Sequence, residues 1–237
     1  RSTPLLTLRV LGVKFTDKEL LLFDLDGTLI DSAPDLALSV NFMLRSIQRE
    51  EFPQSIIDSW VGNGASTLVQ RALSGSKIVD KNIDDALFEK ALSIFLNYYK
   101  ENLCVSTVAY PNVQTTLQTL QKSGYTLVIV TNKPFDFVKP ILEKLELSEF
   151  FTDFIGGDSL AKKKPEPEPL LYFCEKFKIL PNNSLMIGDS KNDILAAKAA
   201  NIESVAVNYG YNYGEDISLY SPERIVEDFA DILECLI

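Results

Sequence analysis

Short apolar runs rich in branched and aromatic residues punctuate this chain, and between them apolar residues recur at three- and four-residue spacings. The first pattern suits strands buried on both faces and the second suits helices. Their alternation predicts an α/β fold in which a parallel sheet is covered on both sides. The candidate strands are residues 20–23, 125–130, 154–155, 185–187 and 204–207. The first four run directly into polar or glycine-rich segments, "DLDGT", "TNKP", "GGDS" and "GDSKND". In an open parallel sheet ligands gather beyond the carboxyl ends of the strands, so these segments are expected to converge on one edge.

Helices are expected where Asn112 opens "VQTTLQTLQKSG", which closes at Gly124, and where Asp189 or Ser190 opens "KNDILAAKAA" before Asn201. Between residue 34 and about residue 104 the strand signals stop. Four helical patterns follow one another there, "PDLALSVNFMLRSIQ", "PQSIIDSW", "ASTLVQRALS" and "IDDALFEKALSIFLNYYKEN". The switch predicts an all-helical cap over residues 34–104, inserted into a core made of residues 14–33 and 105–237. An insert at that point is placed to close over the polar edge as a lid and exclude water. Residues 1–13 have a basic start and leucines interrupted by Arg9, and are expected to be a leader or an expression-vector remnant.

Composition narrows the chemistry. The net charge is −10 and no block of Lys and Arg occurs, which gives nucleic acid or an acidic membrane little electrostatic hold. No apolar run is long enough to span a bilayer. Three widely spaced cysteines form neither a disulfide framework nor a zinc site, and suit a reducing cytoplasm. Histidine is absent altogether, which removes Ser–His–Asp and Cys–His nucleophile pairs, His-ligated zinc and a histidine general base. Carboxylates, lysines, hydroxyls and a hard metal ion remain.

The carboxylates are suggestively spaced. Asp24 and Asp26 follow the first strand, and backbone alternation would direct both to one side. Two such charges about 4 Å apart repel by roughly 4 kcal/mol at an effective dielectric of about 20, so a cation is wanted nearby. Mg2+ suits a few carboxylate or carbonyl oxygens. A second pair, Asp189 and Asp193, sits at a strand-to-helix turn and supplies further ligand candidates, although Asp189 by itself would serve as a helix N-cap. Thr131 offers a hydroxyl at the same edge, with Asn132 and Lys133 beside it, and "KKKPEPEP" offers lysines to balance a phosphate. An aspartate is already ionised at neutral pH and can attack phosphorus without a base to activate it. A second aspartate can then protonate the leaving oxygen and activate water.

"DLDGTLIDS", "VTNK", "KKPEPEP" and "IGDSKND", in this order, resemble the four motifs of the haloacid dehalogenase-like hydrolases, over nearly everything from Phe15 onward. The resemblance implies a Rossmann-like core with a helical cap. It implies Asp24 as nucleophile and Asp26 as acid/base, the latter also offering its main-chain carbonyl to Mg2+. It further implies Asp24 and Asp189 as side-chain metal ligands, Thr131, Asn132 and Lys164 at the substrate phosphate, and Asp193 orienting metal waters or Lys164. Lys164 is preferred over Lys162 and Lys163 because it directly precedes Pro165. "WVGNGASTLVQRAL" and "NYGYNYGEDI" are similar to segments of those members that act on 2-phosphoglycolate, so that small metabolite is the expected substrate. Glu166 departs from the histidine those members often carry, at a position outside the core chemistry. The alternatives are a phosphatase for another small phosphorylated acid or sugar, and, from a different class, a non-catalytic phosphate-binding or phosphoacceptor module. The sequence is silent on oligomeric state.

Overall fold

The computed structural model describes residues 14–237, and the leader expected over residues 1–13 lies outside them. In chain order the elements begin with β1 (Leu20–Phe23) and β2 (Ile30–Asp31). Four helices follow: α1 (Ala33–Ser46), α2 (Gln54–Asp58), α3 (Ala65–Ser74) and α4 (Asp85–Glu101). The chain continues through β3 (Val108–Ala109), α5 (Val113–Lys122), β4 (Thr126–Val130), α6 (Phe135–Lys144), β5 (Asp153–Ile155), α7 (Glu168–Phe177), β6 (Ser184–Gly188), α8 (Lys191–Ala199) and β7 (Glu203–Val207). It ends with β8 (Arg224–Val226) and α9 (Asp231–Leu236).

Six strands form one parallel sheet in the order β5-β4-β1-β6-β7-β8. Side-chain alternation splits the strands between two cores. Leu21, Phe23, Ile129 and Ile187 pack on one face with α5, α6 and α9, while Leu20, Leu22, Val128 and Met186 pack on the other with α7 and α8. All four residues of β1 are fully buried, each worth roughly 1.5–3 kcal/mol. The central strand is therefore a rigid base for whatever follows Phe23.

Helices α1–α4 lie between β2 and β3, and these two strands pair antiparallel, Ile30 with Ala109 and Asp31 with Val108. The two crossings between the sheet body and the helical insert are thereby tied together. This ribbon, β8 and α9 have no counterpart among the expected elements, because runs of two to six residues carry too little periodicity to read. Helix α6 forms despite Pro140 in its interior, held by buried Phe137, Val138, Ile141 and Leu142, an instance of packing overriding propensity. Among the described residues no helix is long and apolar enough to cross a membrane.

Candidate active site

The sheet order puts β4, β1 and β6 side by side, in a register where Phe23 stands level with Ile129 and Ile187. Asp24, Thr131 and Asp189 therefore leave the ends of three adjacent strands at nearly the same height. The chain passes from β1 to β4 and β5 on one side and then crosses back over β1 to β6 on the other, and this reversal opens the crevice at this point.

Lys164 arrives from the loop between β5 and α7 and is almost wholly buried. Its Nζ donates to Asp24 Oδ1 at 2.9 Å and to Asp193 Oδ1 at 2.6 Å. Asp193 also accepts at Oδ2 from the Ser190 amide and hydroxyl, closing a capping box at the start of α8. Ser190, rather than Asp189, is thus the N-cap, and Asp189 is left to face the strand ends. Carboxylate oxygens of Asp24, Asp189 and Asp193 lie within 4.8 Å of one another. Burial pushes the Asp24 carboxyl up to about 7; Lys164 opposes the shift, and Asp193 and Asp26 reinforce it. Burial likewise raises Asp189, with Asp193 and Asp24 adding repulsion. Burial also disfavours charge on Lys164, yet Asp193 and Asp24 overcome it and hold the ammonium above its ordinary range.

Asp26 faces a different cation. Lys133 Nζ donates to its two oxygens at 2.9 and 3.2 Å, and the Ser32 hydroxyl donates to Oδ1. The repulsion expected between Asp24 and Asp26 is met by one buried lysine each. Thr131 Oγ1 accepts from the Lys133 amide at 3.1 Å, which leaves its own hydrogen free to donate. Asn132 spends both amide hydrogens on the carbonyls of Gly62 and Lys164, so its side chain has only the unpartnered acceptor Oδ1 to offer. Asp24, Asp26, Thr131, Asn132 and Lys133 line one cleft, whose far wall comes from the helical insert, including Val61, Leu68, Phe95 and Tyr99.

Asp189 is held by close neighbours. Thr28 Oγ1 donates to Oδ1 at 3.0 Å and the Tyr211 amide to Oδ2 at 2.7 Å. Gly27, at φ +88°, leaves no space for a side chain, since a Cβ there would meet Asp189 Oδ2 at 2.4 Å. Gly27→Ala is expected to lower kcat/KM about 100-fold by displacing this carboxylate, with a loss of about 1 kcal/mol for the left-handed backbone. Steady-state kinetics and a denaturant titration check both numbers.

The donor set fits a hard divalent cation. Asp24, Asp26, Asp189 and Asp193 bring four carboxylates against the two ammonium groups of Lys133 and Lys164, a formal surplus of two negative charges. Oxygens from Asp24 and Asp189, with the main-chain carbonyl of Asp26, would hold the ion, and Mg2+ matches the all-oxygen set.

Over residues 21–207 the chain matches the model of a family described as haloacid dehalogenase-like hydrolase. The chain belongs to that family. It is 52% identical over 221 residues to the phosphoglycolate phosphatase of Colwellia psychrerythraea, covering 93% of this chain and 98% of that protein. It is 45% identical to the phosphoglycolate phosphatase of Pasteurella multocida over 93% and 99% of the two chains. The crystal structure of a predicted phosphoglycolate phosphatase from Haemophilus somnus 129pt superposes with a TM-score of 0.88 at 43% identity, covering 92% and 98%. The chain is an enzyme, a hydrolase with the parallel-sheet core and helical cap expected from its sequence.

Several residues of the site carried no weight in the sequence. Lys133 adjoins Thr131 and Asn132 but showed nothing to tie it to Asp26. Thr28 fell within the turn after Asp26, and Tyr211 within a tyrosine-rich stretch whose contacts cross the whole site. The Tyr211 hydroxyl donates to Asp31 Oδ1 and accepts from the Ser32 and Ala33 amides, joining the Asp189 loop to the root of α1.

Proposed function

We propose that the enzyme is a Mg2+-dependent phosphatase that hydrolyses 2-phosphoglycolate to glycolate and phosphate through an aspartyl-phosphate on Asp24. The observation that carries this reading is the buried Asp24 carboxylate at the floor of the cleft, 2.9 Å from Lys164 and clustered with Asp189 and Asp193. The names of the relatives support the substrate.

Asp24 attacks phosphorus while the phosphoryl oxygens are held by Lys164 and the free Thr131 hydroxyl hydrogen. Asp26 gives a proton to the departing glycolate oxygen and later takes one from the water that opens the acyl phosphate. Lys133 and Ser32 orient Asp26 for both transfers. When bound at Asp24, Asp189 and the Asp26 carbonyl, Mg2+ supplies further positive charge beside the transferring group. Asp193 fixes Lys164 through the 2.6 Å contact and so acts as its positioning residue.

Residues 34–104 act as a cap on a core of residues 14–33 and 105–237. Its closure is supported by a latch in which the Gly62 carbonyl accepts from Asn132 and Asn192, each at 3.1 Å, and the Asn63 carbonyl accepts from Lys163 at 2.7 Å. The segment 61–65 is therefore held against the cleft by backbone carbonyls, which suits a loop that must release and re-form. The substrate class is a small phosphorylated acid met in the cytoplasm, with neither nucleic acid nor membrane as partner.

Phosphate release across a panel of phosphomonoesters tests the reading. The expected result is the highest kcat/KM for 2-phosphoglycolate, activity abolished by a chelator and restored by Mg2+. Equal or better turnover of sugar phosphates would move the substrate elsewhere, and turnover untouched by chelation would remove the metal.

A further inference from the structure

We propose that Lys133 and Tyr99 together form the subsite that takes the carboxylate of the leaving group, so that the enzyme selects anion-tailed phosphomonoesters over neutral ones. The inference rests on the phosphatase reading and deepens it.

The wall of the cleft facing Asp24 is mostly apolar, built from Leu36, Val61, Leu68, Phe95 and Phe137. Tyr99, on α4, is 1% exposed; the Lys133 ammonium is the charged group beside its hydroxyl, and nothing accepts the hydroxyl's own hydrogen. A buried hydroxyl left unsatisfied is costly, and one lining a cleft is a group placed for a ligand. Lys133 is the one cation among the described residues that line the cleft, and its Nζ lies 4.8 Å from the centroid of the Tyr99 ring.

An ammonium has three hydrogens, and the contacts to the two oxygens of Asp26 leave donor capacity unused. Two donors, one of them charged, set side by side in an apolar wall match an acceptor-only anion. The other unpartnered atom in the cleft, Asn132 Oδ1, is an acceptor whose amide is tied to Gly62 and Lys164 and so offers no donor to an anion. A neutral tail would leave both donors unmet, which is the situation in which a polar site discriminates most strongly.

The test compares kcat/KM for 2-phosphoglycolate with that for ethyl phosphate, a neutral-tailed counterpart of similar length. The unaltered enzyme is expected to prefer the carboxylate about 100-fold or more. Tyr99→Phe, which keeps the ring and its packing, lowers that preference about tenfold, chiefly through KM for 2-phosphoglycolate. Lys133→Met brings it close to unity and abolishes competitive inhibition by glycolate. Any general loss from a misplaced Asp26 cancels in the ratio. The inference is overturned if both substrates fall by one common factor in both variants, because Lys133 then only positions Asp26 and Tyr99 only packs. If 2-phosphoglycolate is not preferred but another carboxylated ester is, and that preference collapses in the variants, the substrate reading falls and the subsite stands. If no carboxylated ester is preferred over its neutral counterpart, the subsite falls.

Discussion

Asp24→Asn is expected to lower kcat by at least about 10^4-fold while leaving the protein folded and, without metal, more stable than the parent. The amide is isosteric with the carboxylate and retains an oxygen for Lys164, but it is neutral and cannot attack phosphorus. Stability moves the opposite way because burial has raised the Asp24 carboxyl to about 7 from 3.8. For an acid whose folded pKa lies above its unfolded value, the folded state is penalised progressively as pH rises from about 4 to 7, and uniformly above. Asparagine never carries that charge, so the variant's advantage is absent near pH 4 and reaches roughly 2–4 kcal/mol by pH 8 in a chelating buffer. Mg2+ should erase the advantage, since the ion stabilises only the form that has Asp24 to hold it. Single-turnover assays with a phosphomonoester, and denaturant titrations at pH 4.5 and 8, read both effects. Residual kcat above about one hundredth of the parent's would mean that another group is the nucleophile.

Lys164→Met should do the reverse and damage the fold as well as the chemistry. Met has similar length and no charge, so Asp24 and Asp193 are left buried without their shared cation. Breaking a buried pair in this way costs about 3–5 kcal/mol. The Lys164 ammonium is held above its ordinary range, so the lysine itself stays charged throughout pH 5–8 and would lose its proton only at strongly alkaline pH. In the variant Asp24, whose carboxyl burial already pushes up, can escape by taking up a proton, so the deficit is smaller at pH 5 than at pH 8. Activity is expected to fall about 10^3-fold, since Lys164 is the proposed phosphoryl anchor. The neighbouring lysine supplies the control. Lys162 is exposed and pairs with Glu166 and Glu168 at 3.5 and 3.0 Å, contacts that water screens, so Lys162→Met should leave stability essentially unchanged. If the two variants were equally stable at pH 8, the buried triad of Asp24, Lys164 and Asp193 would have no energetic meaning.

This contrast between adjacent lysines shows where local sequence stops being informative. All three residues of "KKK" carry the same charge, and only their burial separates an anchor from a solvated side chain. The motif likeness selected Lys164, whereas spacing and composition alone left the three equivalent. The strands were readable because branched apolar runs ended abruptly in polar residues at residues 24, 131 and 189. Strand β8 and the β2–β3 ribbon were not, because so few residues leave no periodic trace. Helix α6 was obscured by Pro140, whose local cost is outweighed by contacts made by residues far along the chain.

The sequence by itself determined the layered α/β architecture with its helical cap, and it kept histidine out of the chemistry. Hydrophobic period and the absence of histidine are properties of the chain read in order. Tertiary structure decided which charges are neighbours: Lys164 between Asp24 and Asp193, Lys133 on Asp26, and Tyr99 brought from the insert to the same cleft. Coulomb and hydrogen-bond energies depend on distance and burial, and neither is encoded in the spacing of residues that lie 29 to 169 positions apart along the chain.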